Sequence, residues 1–272
     1  MRSHSGASPY SSALPPRWRV QRYESVGSTS DEARREALAG DPGRLWIIAR
    51  EQTQGRGRHS RPWVSPSGNL YASALLIDPS PIALAPQIGF AAGIALCHAV
   101  ADLGAEEVRL KWPNDLVYHG AKLAGLLVEG VALGPDRFCC IVGFGINCVS
   151  APQGLAYRTT DLGSVLRREV APETVFAALA PRFDEALQLW SAGANFARVR
   201  ARWLERAAGL GEPIRIAGVS GTREGSFETI DASGRLVLRT GHGLESVESG
   251  DLTFLSAREG VANHPSESKT SQ

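Results

Sequence analysis

Two lysines, Lys111 and Lys122, fall within one short stretch, KWPNDLVYHGAKLAG, of a chain that otherwise writes its positive charge as arginine. Of 29 basic residues only three are lysine, the third being Lys269 near the end of the sequence. An ammonium is a compact point charge that fits, partly desolvated, beside a phosphate or a reacting carboxylate, whereas a guanidinium spreads its charge over a planar fork. Lys111 and Lys122 are therefore candidates for anion chemistry, against the plainer reading of two surface lysines whose stems lie along apolar neighbours. Asn114 and Asp115 add an amide and a carboxylate at a strand end, where ligands commonly sit. Asp115 taken alone reads as a turn residue.

A second cluster is EQTQGRGRHSRPW, in which Arg56, Arg58 and Arg61 interleave with Gly55 and Gly57 directly after an apolar run. Glycine lets backbone approach an anion closely, and guanidinium groups bind carboxylate or phosphate through paired hydrogen bonds. The stretch is neither a Walker A loop nor a dinucleotide fingerprint, since G-x-x-x-x-G-K-[ST] and G-x-G-x-x-G are both absent. Anion binding at an internal site, contact with nucleic acid and a solvated basic loop all remain open from these residues. Trp63 either covers an aromatic ligand ring or anchors the loop. In a third motif, GFGINC, Asn147 ends an apolar run beside two glycines; its amide meets either a ligand or a strand irregularity.

The elements that must hold these residues are legible. WRVQRYESV reads as a strand, and STSDEARREALAGD as a helix capped by Ser28 or Thr29, acidic in its first turn and stopped at Gly40. LWIIARE and NLYASALLID read as strands flanking the glycine-arginine loop. PQIGFAAGIALCHAVADLG repeats apolar residues at helical spacing with little charge on any side, the pattern of a helix buried against a sheet. VRLKWP, LVYHG, KLAGLLVEGVAL and RFCCIVGFGINC predict successive strands, followed by helices at about 173–190 and 196–208. Beyond Gly209 short alternating segments with frequent turns predict a small antiparallel barrel or sandwich. A boundary is placed near Leu210.

Composition sets the remaining bounds. The chain has 272 residues, 43% hydrophobic and 21% charged, with a formal net charge of +1, so no overall basic field argues for nucleic acid. Cys97, Cys139, Cys140 and Cys148 lack C-x-x-C or ligand spacing and read as small buried hydrophobes rather than redox or metal residues. The first residues lack a secretory apolar core, and no run of about 18 apolar residues offers a membrane span. The expectation is a soluble cytoplasmic protein, without a membrane partner, whose ends at residues 1–16 and 259–272 lack fixed structure.

Taken in order, GSTSDEA, EQTQGRGRHSRPW, SGNLYASALL, KWPNDLVYHGAKLAGLLVE and GFGINC resemble the biotin protein ligase family, over about Trp18 to Leu255. The resemblance implies an α+β fold: a mixed, largely antiparallel sheet packed with helices, similar to class II synthetases, at 17–209, and a C-terminal SH3-like β-barrel at 210–258. It implies a two-step ligase that forms biotinyl-5′-AMP from ATP and biotin, usually with Mg²⁺, and passes the biotinyl group to a lysine of a biotin carboxyl carrier protein. Ser28, Thr29, Ser30, Gln52, Gly55 and Gly125 would surround biotin. Arg56, Gly57 and Arg58 would form a flap over the acyl phosphate, ordering only around ligand. Lys122 would hold the carboxylate, making Lys122, Arg56 and Arg58 the catalytic candidates. Arg58, Arg61, Trp63, Lys111, Asn114, Asp115 and Asn147 would serve ATP or the adenylate; no metal ligand is assigned. Ser30 stands where the family often has asparagine, and His59-Ser60 leaves fewer cations in the loop than some relatives have. No DNA-binding segment is expected before Trp18, and a monomer or weak homodimer is expected. A lipoate or octanoate ligase of the same superfamily and a nucleic-acid binding module are the alternatives.

Overall fold

A computed structural model describes residues 14, 15, 17–218 and 221–255. Apart from residues 14 and 15, the expectations for the two polar ends fall outside this range. The chain runs β1 (Arg19–Val26), α1 (Thr29–Leu38), β2 (Leu45–Gln52), β3 (Leu70–Ile77), α2 (Ile88–Asp102), β4 (Arg109–Lys111), β5 (Asp115–Tyr118), β6 (Ala121–Gly134) and β7 (Arg137–Ile146). Then come α3 (Leu162–Leu166), α4 (Pro172–Trp190) and α5 (Phe196–Glu205), followed by β8 (Pro213–Gly218), β9 (Gly221–Ile230), β10 (Leu236–Thr240), β11 (Gly243–Val247) and β12 (Asp251–Phe254). The short α3 was not foreseen.

The first seven strands form one sheet in the order β1-β2-β3-β7-β6-β5-β4. Only β1 and β2 run parallel; the other neighbours are antiparallel. Side-chain alternation splits β2 between the two faces: Trp46 and Ile48 join the main core, while Leu45 and Ile47 join a smaller one under α1. Both faces are covered, which is why LWIIA reads as an unbroken apolar run.

On the main-core face lie α2, α4 and α5. Trp46 is fully buried at the centre of a ring cluster, with Trp18, Phe144, Phe176 and Phe183 centroids 5.2–5.5 Å away. The segment Ile82–Asp102 is, contrary to the sequence expectation, long and apolar enough by composition to cross a membrane. Most of it is buried inside the protein, where α2 packs against α4, α5 and the sheet.

The α1 face carries the feature that matters for function. Paired residues share a face, and one row across the sheet reads Ile47, Ser73, Gly143, Leu127 while the next reads Ala49, Tyr71, Gly145, Gly125, Asp115. Three glycines in neighbouring places remove the side chains that would fill the surface there, so the sheet is hollow beside the N-terminus of α1.

The last five strands form an antiparallel sheet ordered β11-β10-β9-β8-β12, consistent with an SH3-like barrel. Its Phe254 ring fits over Gly209, where an added Cβ would stand 2.6 Å from Cε1, and β12 faces the hollow.

The indole Nε1 of Trp46 is buried without a hydrogen-bond partner among the described residues. Trp46→Ala is therefore expected to cost about 3–5 kcal/mol in urea unfolding, and Trp46→Phe well under half as much, because the lost N–H made no bond. Equal losses would show that the indole nitrogen contributes.

Candidate active site

The hollow is a cavity of about 360 Å³. Its cationic side is built by the β4–β5–β6 hairpins. Lys111 closes β4, the Trp112–Pro113 peptide is cis, and Asp115 opens β5. A two-residue turn, His119-Gly120 with φ of 45° and 75°, then returns the chain into β6. Lys122 is fixed by its backbone: its N–H donates to Arg158 O at 2.8 Å and its carbonyl accepts from Thr160 N at 2.9 Å. Its Nζ lies 2.8 Å from Asp115 Oδ1, an ion pair without hydrogen-bond alignment, and 5.3 and 5.6 Å from the Trp63 and Tyr157 ring centroids. Both charged side chains are about four-fifths hidden from solvent, where attraction between charges is far stronger than at the surface.

Lys111 is the second ammonium, 5.6 Å from the Phe254 ring centroid. Burial pushes its pKa down; Asp115 pulls it back up, Lys122 lowers it further and Asp251 raises it. Asn114 pins the hairpin, its Nδ2 donating to Leu126 O at 2.5 Å and its carbonyl accepting from Leu126 N at 2.8 Å.

The opposite end is lined with hydroxyls. Ser28 caps α1, its side chain accepting from Ser30 N at 3.2 Å. Thr29 donates from N to Gln52 Oε1 at 2.8 Å, and its hydroxyl lies 2.8 Å from Ser73 Oγ, which is itself 3.1 Å from Ser30 Oγ. Gln52 Nε2 donates to Ser65 Oγ at 3.0 Å. This neutral end offers donors and acceptors, and the N-terminus of α1 adds its dipole.

Between the two ends lies Trp63, slotted against the glycine pair of β6 and β7. A Cβ on Gly145 would stand 2.6 Å from Trp63 Nε1, so this position needs glycine, and one on Gly125 would press on Cζ3 at 3.2 Å. Trp63 both anchors the loop and forms an apolar wall.

The glycine-arginine loop is tied by its own contacts, which qualifies the expectation of a flap ordered only around ligand. Gly57 N donates to Arg61 O at 2.8 Å, and Trp63 N to Gly55 O at 2.9 Å. Arg58 donates to Gly250 O at 3.1 Å and lies 3.9 Å from Asp251, while Arg61 makes a close ion pair with the same Asp251. Burial lowers the pKa of Arg58, opposed by Asp251 and Asp115. Arg56 makes a paired bond to Asp31 and reaches Glu129.

Two residues named from the sequence do not line the cavity. Gly55 is a packing position, since a Cβ there would meet Ser65 Oγ and Trp63 O at 2.6 Å. Asn147 is buried outside the lining, its Nδ2 donating to Thr160 O at 3.0 Å, which steadies the segment behind Lys122. The other candidates, Ser28, Thr29, Ser30, Gln52, Arg56, Gly57, Arg58, Arg61, Trp63, Lys111, Asn114, Asp115, Lys122 and Gly125, share one cavity. Sequence reasoning missed Tyr157 and Arg158, which reach it from an irregular segment, and Leu252 and Thr253, which reach it from the small barrel. It also missed Ser73, for which strand alternation placing it opposite Gly143 was the available signal.

Comparisons with known proteins point one way. Residues 26–147 match the Biotin/lipoate A/B protein ligase family, and residues 209–254 match the Biotin protein ligase C terminal domain. A biotin–[acetyl-CoA-carboxylase] ligase of Paracoccus denitrificans is 38% identical over 83% of this chain and 98% of its own length. The ligase of the same name from Mycobacterium tuberculosis is 31% identical over 85% of this chain and 86% of its own. Among solved structures, the Aquifex aeolicus biotin protein ligase in complex with biotin and ATP superposes with a TM-score of 0.75 at 26% identity, covering 86% of this chain and 97% of that one.

Because burial is the first cause of the lowered Lys111 pKa, the charged form is disfavoured in the fold. Lys111→Met is expected to raise Tm at neutral pH, as read by thermal unfolding. The gain should shrink at alkaline pH, where the folded wild type sheds the proton. A lowered Tm would mean that attraction to Asp115 and Asp251 outweighs desolvation.

Proposed function

The chain belongs to the biotin protein ligase family, and we propose that its cavity residues divide the work of an ATP-dependent biotin–protein ligase as follows. The enzyme activates biotin as biotinyl-5′-AMP with release of pyrophosphate, then transfers the biotinyl group to a lysine of the biotin carboxyl carrier protein of a carboxylase. The observation that carries the residue assignments is the one cavity with a neutral, hydroxyl-rich end, an indole wall and a cationic end.

Ser28, Thr29, Ser30 and Gln52 bind the ureido ring of biotin by matching its donors and acceptors, Trp63 and Gly125 enclose the apolar part, and the carboxylate reaches Lys122. Arg58, Arg61 and Lys111 bind the triphosphate. A carboxylate oxygen then attacks the α-phosphorus, forming a P–O bond as the bond to pyrophosphate breaks. In the second step the neutral amine of the acceptor lysine attacks the acyl carbon and AMP leaves. Two anions have to meet, so fixed cations and orientation supply the catalysis, and no serine or cysteine nucleophile is needed. The four cysteines support this: all are buried and free, and burial pushes Cys140 and Cys148 up to about 12.

Mg²⁺ belongs to the same proposal. Among the described residues no group of three His, Cys, Asp or Glu side chains could hold a metal ion. The cavity does contain Asp115, whose Oδ1 already pairs with the Lys122 ammonium at 2.8 Å; a cation there would share this one carboxylate with Lys122 and be held otherwise by the substrate phosphates. When bound there, Mg²⁺ would neutralise phosphate charge. A cytoplasmic location, a monomer or weak homodimer, and units at 17–209 and 210–258 with β12 closing the nucleotide end complete the proposal.

Incubation with ATP, Mg²⁺, a carrier domain and labelled biotin, lipoate or octanoate tests the reading. Label should reach the carrier from biotin alone; transfer of lipoate or octanoate at comparable rates would overturn it. Lys122→Arg keeps the charge but loses the compact ammonium, and is expected to lower kcat/KM at least about 100-fold with Tm within about 2 °C. Retained activity would remove Lys122 from its assigned role.

A further inference from the structure

Of the three arginines in the glycine-arginine loop, Arg56 alone is tied to the main domain rather than to β12. Its Nη1 and Nη2 donate to Asp31 Oδ2 and Oδ1, both at 2.8 Å, and Nη2 also donates to Glu129 Oε1 and Oε2 at 3.2 and 3.3 Å. The two carboxylates come from separate elements. Asp31 lies in the first turn of α1, just past the residues that line the hydroxyl end, and Glu129 lies on β6, on the face that carries Gly125 and Leu127. Arg34 of α1 stands 3.9 Å from Glu129. The Arg56 side chain is 23% exposed and that of Glu129 20%, so this contact is partly shielded from water and salt, whereas Asp31 is 48% exposed and its pair with Arg56 meets solvent.

The consequence lies in what this guanidinium does for the loop. Arg56 is the first loop residue past Gly55, and a backbone bridge links it to Pro62 on the returning limb. Fixing its side chain from two sides fixes the root of both limbs across the rim of the cavity. The tips, Arg58 and Arg61, depend instead on Asp251 and the Gly250 carbonyl of the small barrel.

We propose that Asp31 and Glu129 are positioning residues that hold Arg56 across the cavity rim, and that this strap governs how well the enzyme retains the activated acyl intermediate before transfer. The retention part rests on the biotin ligase reading; the positioning part does not. Neither carboxylate touches substrate in this scheme. Both act through Arg56, so loss of either should loosen the loop without removing a group from the chemistry.

The test uses the full chain and the variants Asp31→Asn, Glu129→Gln, their combination, and Glu129→Asp. Hydrogen exchange of peptides covering residues 53–62, measured with no ligand added, should speed up about tenfold in the double variant, with Tm and exchange in α2 and α4 unchanged. Glu129→Asp should recover part of the protection. Raising salt should speed exchange in the double variant no more than in the wild type, since its strap is already gone. Exchange within about twofold of the wild type would overturn the positioning role.

With biotin and ATP supplied, label reaching a bystander protein rather than the carrier should rise about tenfold in the double variant. Faster exchange without greater escape would overturn the retention role while leaving the positioning role standing. Failure of the wild type to form any biotinyl adenylate would instead contradict the biotin ligase reading, and the ligand-free exchange would still decide the strap.

Discussion

An ammonium and a carboxylate 2.8 Å apart, Lys122 and Asp115, sit where water is largely excluded, and most of the architecture serves to keep that charge pair in one place. Coulomb attraction in such surroundings is strong, but so is the cost of desolvation, and the pair persists because its backbone cannot move away. The His119-Gly120 turn sets the hairpin register, and Arg158 and Thr160 hold the Lys122 peptide from the far side. Lys111 adds a second cation beside the same carboxylate, at a desolvation cost visible in its lowered pKa. A site that must join two anions needs cations whose position is settled before the anions arrive, since reorganisation during reaction would forfeit much of their effect.

The sheet contributes by subtraction. Gly125, Gly143 and Gly145 occupy adjacent places on the α1 face, and the space they leave lets the Trp63 indole and Ser30 come close to the sheet and wall the cavity there. The loop that carries Trp63 is counter-charged from two directions: Asp31 and Glu129 of the main domain take Arg56, and Asp251 of the small barrel takes Arg61 and approaches Arg58. The barrel is thus part of the cavity wall, and Phe254 over Gly209 and near Lys111 makes the contact between the two sheets specific.

How much of this could be read from the sequence depended on the range of the interactions. The strands and helices were legible because their periodicities are local, and the three chemical motifs were legible because unusual residue types cluster in them. Lysine where arginine was the habit singled out Lys111 and Lys122 as candidates for anion chemistry, and both line the same cavity. What was not legible needed pairing across distant segments. Asp251 was one acid among many until β12 met the loop, Tyr157 lay in an unpatterned segment, and the Asp31–Arg56–Glu129 bridge joins three separate elements. Asn147 was singled out for the right chemical reason, a buried amide that must find partners, but its partner is a backbone carbonyl rather than the cavity. Ile82–Asp102 is apolar enough to pass for a membrane span by composition, yet its lack of charge on any side reads as a helix buried against a sheet, which is where it lies.

On the function proposed above, these fixed cations let a biotin carboxylate attack the α-phosphorus of ATP without help from the acceptor protein. Isotope exchange of labelled pyrophosphate into ATP, followed with no carrier present, tests this most directly. Exchange is expected to require biotin and to disappear in Lys122→Ala while biotin still binds. Exchange absent from the wild type, or unaffected by loss of the Lys122 ammonium, would contradict it.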